Sequence, residues 1–180
     1  MKILVVVTAL AAAAAAPFAL QDPQGMPQAG PEHVVLMDHV GVWDAVVITE
    51  DMEGKEQRSK GKATTRKLAD FHTIDDFEAE FMGMQFVGHG MNSWCPLRRK
   101  YVSSWADSMT PSPLQLTGDY DAKTRQLKMS GECLGMSGKL EPCRTVTYLR
   151  DADHFAWEMF GNGPDGKEMR TLRIEYTRHK

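Results

Sequence analysis

Apolar and polar residues alternate along most of this chain, in short runs broken by turn residues. Alternation with a period of two puts one set of side chains on a buried sheet face and the other in solvent. Residues 33–39 (HVVLMDH) first make one or two helical turns, with Leu36 and Val40 on one apolar face, and Gly41 ends them. Residues 42–50 (VWDAVVITE) are β-branched and read as a strand, and residues 51–54 turn the chain. Residues 56–68 form a polar strand. In residues 71–81, Phe71, Thr73, Asp75, Phe77, Ala79 and Phe81 share one parity, with Ile74 interrupting it. The next strand, 84–91, is punctuated by Gly88 and Gly90. Residues 100–106 put Tyr101, Ser103 and Trp105 on one face, and residues 114–120 do the same for Leu114, Leu116, Gly118 and Tyr120. After a turn at 121–125, residues 126–134 gather Leu127, Met129, Gly131 and Cys133. Residues 139–149 carry Val146 and Tyr148 on one side, and residues 154–160 group Phe155, Trp157 and Met159. The turn GNGPDG at 161–166 leads to residues 167–178, where Leu172, Ile174 and Tyr176 align.

This pattern predicts roughly ten short strands and almost no helix. There is no βαβ alternation and no tandem repeat. The expected fold is all-β: a single antiparallel up-and-down β-barrel of about 8–10 strands, with a short N-terminal helix. A closed barrel is favoured over a sandwich because closure removes the edge strands that invite aggregation.

The start of the chain adds an address. Lys2 precedes an apolar run, 3–16, interrupted by Thr8, and small residues continue to Ala19. Residues 1–20 are expected to be a signal peptide, since a run of about 14 apolar residues falls short of the ~20 a bilayer needs. The first cysteine is Cys95, so no lipid-bearing cysteine follows the leader and no stable membrane anchor is expected. Residues 21–31 (QDPQGMPQAGP) read as a flexible linker. Residues 32–180 remain as one domain, about 150 residues long and sufficient for a single core. The net charge is −3 and the densest basic cluster is Arg98-Arg99-Lys100, which gives no electrostatic case for nucleic acid. The expected location is outside the cytoplasm, periplasmic or secreted. Cys133 and Cys143 flank the glycine-containing turn 135–138 and are expected to join as a disulfide there. Cys95 is then left free or links two chains in a homodimer.

Chemistry is sparse. The six histidines show no HxH, HExxH or Cys/His ligand spacing. His154, on a strand, is the residue weighed as a haem ligand. Met82, Met84, His89 and Met91 have the softness of a Cu(I) site, but strand parity sets Met84 and His89 on opposite faces. There is no GxSxG, and Ser108 beside Asp107 reads as a turn former. Asp75-Asp76 and Glu78-Glu80 read as a solvent face. No cofactor, metal ligand or catalytic residue is assigned. Aromatic residues are the positive signal, and their densest stretch is 83–121. Phe86, Trp94, Tyr101, Trp105, Tyr120 and Trp157 are the candidate binding residues for a small, partly apolar ligand in the barrel mouth, with the loop 109–113 (MTPSP) as a semi-rigid lid. A barrel of this size filled by its own side chains, with a structural or self-associating role, is the alternative.

Two sets of residues carry a resemblance. Gly41-x-Trp43, after a short helix, resembles the opening of a lipocalin or calycin barrel. In such a barrel the Trp plugs the closed end under an Arg of the last strand, a role that falls to Arg178. Across the domain, His33, Leu36, Phe86-x-Gly88, Lys100-Tyr101-Val102, Trp105-x-Asp107-Ser108, Gly118-x-Tyr120-Asp121, Arg144-x-Val146 and Tyr176-x-Arg178 occur in order. This series resembles a bacterial, often exported, family of calycin-like barrels known as a domain of unknown function. The chain departs from it at residues 92–96 (NSWCP), where the family tends to carry Gly-Tyr-Asp. The resemblance implies a fold and assigns no activity.

Overall fold

The computed structural model describes residues 28–50, 54–81, 83–135, 137–163 and 165–180. The expected leader and most of the expected linker lie outside the described residues. Helix α1 (Pro31–Met37) is followed by β1 (Gly41–Glu50), β2 (Glu56–Leu68), β3 (His72–Phe81), β4 (Met84–Cys95) and β5 (Lys100–Asp107). β6 (Leu114–Asp121), β7 (Gln126–Leu134), β8 (Leu140–Leu149), β9 (His154–Asn162) and β10 (Glu168–Arg178) complete the chain. Each strand pairs antiparallel with its sequence neighbour, and β10 pairs with β1, closing the sheet into a ten-stranded up-and-down barrel. The short turns dictate this, because a two- to six-residue connection leaves a strand no neighbour but the next one.

The elements match the alternation with two shifts. The helix begins at Pro31, whose ring suits the first helical position. β4 runs on to Cys95, so the NSWCP segment is largely strand rather than loop.

The connections β2–β3, β4–β5, β6–β7 and β8–β9 lie at the α1 end, and the loop 108–113 belongs to the other mouth. At the α1 end Trp43 is 1% exposed and its indole N–H donates to the His39 carbonyl at 2.8 Å. The Arg178 guanidinium lies 4.1 Å above its ring and donates to the carbonyls of Val40 and Ala152. Gly41 has φ +147°, and a Cβ there would collide with the same guanidinium. The G-x-W spacing therefore has a steric cause: the glycine leaves room for the arginine that covers the tryptophan.

The outer wall is uneven. On β8–β10, Ala156 and Glu158 have outward parity yet are buried, because long side chains fold over them. Glu158 accepts from Tyr148 Oη at 2.8 Å, from Arg173 at 2.7 Å and from Arg170 at 3.1 Å. Burial pushes the Glu158 carboxyl up, and these hydrogen bonds outweigh it, so the group sits below its ordinary value. Arg144 makes a two-pronged pair with Glu168 and lies 3.7 Å over the Phe160 ring.

Candidate functional site

Inside the barrel the side chains form two clusters. The first lies under α1. Leu36, Tyr101, Leu116, Leu127, Met129 and Cys143 are buried together, with Trp94 and Tyr120 against them. The Tyr101 hydroxyl donates to the Glu32 carbonyl at 2.9 Å and so ties α1 to the barrel. Burial pushes its phenol up to about 12.

The second cluster is aromatic. Trp43, Phe77 and Ile174 are buried, and Phe86, Trp105, Phe155, Trp157 and Tyr176 pack against them. Phe155 stacks on Tyr176 at 4.2 Å, and Phe77 meets Phe86 edge-on at 6.0 Å. Trp105 lies flat against β4, where a Cβ on Gly88 would strike its six-membered ring. The glycine punctuation of β4 is the seat of that indole. Its N–H donates to Asp107 at 3.0 Å, and the other Asp107 oxygen accepts from the backbone of Met109 and Thr110. Asp107 therefore fixes both the indole and the start of the mouth loop. Ser108 belongs to the same turn, its hydroxyl accepting from the Val87 N–H at 3.2 Å.

Asp75 sits among these rings. Its parity matches Phe77 and Thr73, so it points into the barrel, unlike Asp76 and Glu78. The expectation of a solvent-facing Asp75 is thus corrected; the parity shared with Phe77 was the available signal. Thr65 Oγ1 donates to one carboxylate oxygen at 2.7 Å, and Asn92 Nδ2 to the other at 2.6 Å. Burial raises its pKa, and the two hydrogen bonds offset only part of that rise. Among the described residues, no cation forms an ion pair with it.

The six expected binding residues are therefore divided. Phe86, Trp105 and Trp157 join the aromatic cluster, and Trp94, Tyr101 and Tyr120 join the cluster under α1. Tyr148 points outward to Glu158. His154 is exposed at the start of β9, bonded to Asp151 at 2.9 Å, and does not face the lumen. β4 is paired without a bulge, so Met84 and His89 stay on opposite faces; Met82 is outside the described residues.

The Cys133–Cys143 disulfide is not formed, and both residues are thiols. The five-residue turn pairs Leu134 with Leu140, which sets Cys133 opposite Glu141 and Cys143 opposite Gly131. The cysteines are diagonal, two residues out of the facing register. Burial first, then the Cys133 thiol beside it, pushes Cys143 up to about 12. Cys95 is also a free thiol.

Two cavities lie outside the lumen. One, about 630 Å³, is an open trough on the outer wall of β2–β5, between Lys62, Asp76, Val87, His89 and Ser108. His89 and Asp76 pair across it at 2.7 Å, both exposed. The other, about 250 Å³, lies at the closed end beside His39, Trp43, Phe155 and Arg178. His39 Nε2 is buried there without a hydrogen bond. Burial, with Arg178 nearby, lowers the His39 pKa to about 4 and keeps the ring neutral.

This is the architecture of a small closed barrel with a plugged end and an aromatic lining. The chain belongs to the family described as "Protein of unknown function (DUF1579)", whose model matches residues 28–178. Solved structures share the fold. The crystal structure of Rv2717c from M. tuberculosis superposes with a TM-score of 0.65 at 13% identity, covering 85% of this chain and 100% of that one. The S-type phycobiliprotein lyase CPES from Guillardia theta superposes with a TM-score of 0.54 at 10% identity, covering 83% and 92%. No curated protein matches the chain.

Proposed function

We propose that this barrel is an exported binding protein that holds a small, partly apolar ligand in its lumen and catalyses no reaction. One observation carries the reading. Phe86, Trp105, Phe155, Trp157, Leu172 and Tyr176 point inward in a closed barrel yet stay partly exposed. A lumen filled by its own side chains would bury them as fully as Trp43. Aromatic walls with a few placed polar groups are the usual lining of a small-molecule site. Export is supported by the leader-like residues 1–20.

Native mass spectrometry of the protein purified from its own host tests this. A co-purifying small mass, released on unfolding, is the expected result. The bare polypeptide in every charge state contradicts it. Self-association is a second reading, favoured by Val87 and Met91, which stand exposed on the outer face of β4 on either side of His89. Sedimentation of wild type and Met91→Lys decides it: a dimer that the substitution dissolves supports this reading.

A further inference from the structure

Asp75 is the least explained group in the barrel. It is a carboxylate on the inner face of β3, deep in the wall yet partly open to the lumen. A buried carboxylate ordinarily sits against a cation, because removal from water costs several kcal/mol that hydrogen bonds alone rarely return. Here Thr65 and Asn92 supply hydrogen bonds and hold the group in one orientation. The basic group whose charge acts on it, His89, belongs to the outer face of β4 and is engaged with Asp76. Among the described residues, no countercharge stands on the side that faces the lumen.

Beyond Thr65 and Asn92, two rings lie near Asp75. Phe77 follows it on the inner face of β3, and Tyr176 lies with its ring centre 6.4 Å from that of Phe77. The Tyr176 phenol is pushed up by burial and then by the Asp75 charge, which places the two groups in electrical contact. Gly90, directly opposite Asp75 on β4, lies under the edge of the Trp105 indole. A fixed carboxylate beside several π faces is the arrangement that recognises an organic cation. The carboxylate provides the countercharge, and the rings favour positive charge over their faces while accepting an apolar body.

We propose that the ligand carries a protonated nitrogen, an ammonium or amidinium group, which pairs with Asp75 while its apolar part rests on Phe77, Phe86, Trp105 and Trp157. This rests on the lumen-binding reading above and gives it a chemical class. It also accounts for the cost of Asp75: a bound cation supplies the charge that the buried carboxylate otherwise lacks.

The test uses three probes of equal chain length, decylammonium, decanol and decanoate, titrated at neutral pH against the full domain. Binding is read by tryptophan fluorescence and calorimetry. The expected result is that decylammonium binds at least about tenfold tighter than decanol, with decanoate weakest. In Asp75→Asn the preference for decylammonium over decanol is expected to vanish. Equal binding of the three, or a preference for decanoate, overturns the cation assignment and leaves the lumen-binding reading standing. Binding of none overturns both. A preference for decylammonium that survives in Asp75→Asn removes Asp75 from the site. The wild-type comparison decides the charge preference even if the variant folds poorly.

Discussion

The two clusters inside the barrel are made by the same ten strands and do different work. Under α1, Leu36, Leu116, Leu127 and Met129 fill the space, and the buried Tyr101 hydroxyl finds a backbone carbonyl. Toward β1–β3 and β9–β10, the aromatic cluster adjoins a carboxylate that has hydrogen bonds but, among the described residues, no countercharge. The first cluster behaves as an ordinary core, closely packed with its polar atoms satisfied. Both leave some rings partly open, Trp94 and Tyr120 in the first and Trp105 and Trp157 in the second, but the second also buries a carboxylate with no cation beside it among the described residues, an arrangement that lowers stability. Structures keep such features where something else is to be bound.

Substitutions separate the two. Trp43→Ala removes the plug and unseats Arg178, and it is expected to lower stability by about 4 kcal/mol in urea unfolding. Leu116→Ala is expected to cost about 3 kcal/mol and leave probe binding in the lumen unchanged. A loss of binding as large as the loss of stability would show that the clusters form one unit.

Acid provides a test without mutation. The pKa of His39 is lowered to about 4 in the fold, against 6.5 for an unperturbed histidine. The unfolded chain therefore takes up a proton first as pH falls. Stability is fully present above 6.5 and declines through the interval down to about 4, by about 3 kcal/mol from this residue. Asp75 acts in the opposite sense, since its raised pKa relieves the fold once the carboxyl is protonated. His39→Gln is expected to flatten the acid decline, measured as the urea midpoint between pH 7 and pH 4. Tyr101→Phe is the mildest change, losing one hydrogen bond to Glu32 at about 1 kcal/mol.

The barrel itself was legible because it rests on local signals. Alternation assigns each strand, and short turns force neighbours to pair. Gly41-x-Trp43 and Arg178 were legible as a plug because one lies at the start of the first strand and the other at the end of the last, which closure brings together. The division of the aromatic residues was not. Trp94, Tyr101 and Tyr120 share the parity of binding residues, but α1 covers them, and nothing in a strand's own pattern tells which end the helix will cap. Asp75 shows two signals in conflict: its parity points inward, while three acidic neighbours suggest solvent. The cysteine register depends on the length of the 135–139 turn, where a shift of two residues turns a facing pair into a diagonal one.

The central claim is that the aromatic half trades stability for recognition, and Asp75→Asn tests it most directly. The unfolding free energy of wild type and variant at neutral pH, without ligand, is the measurement. Removing an unpaired buried charge while keeping the shape is expected to stabilise the barrel by about 1 kcal/mol. A variant less stable than wild type would show that the Asp75 carboxylate belongs to the structure, and would contradict the account.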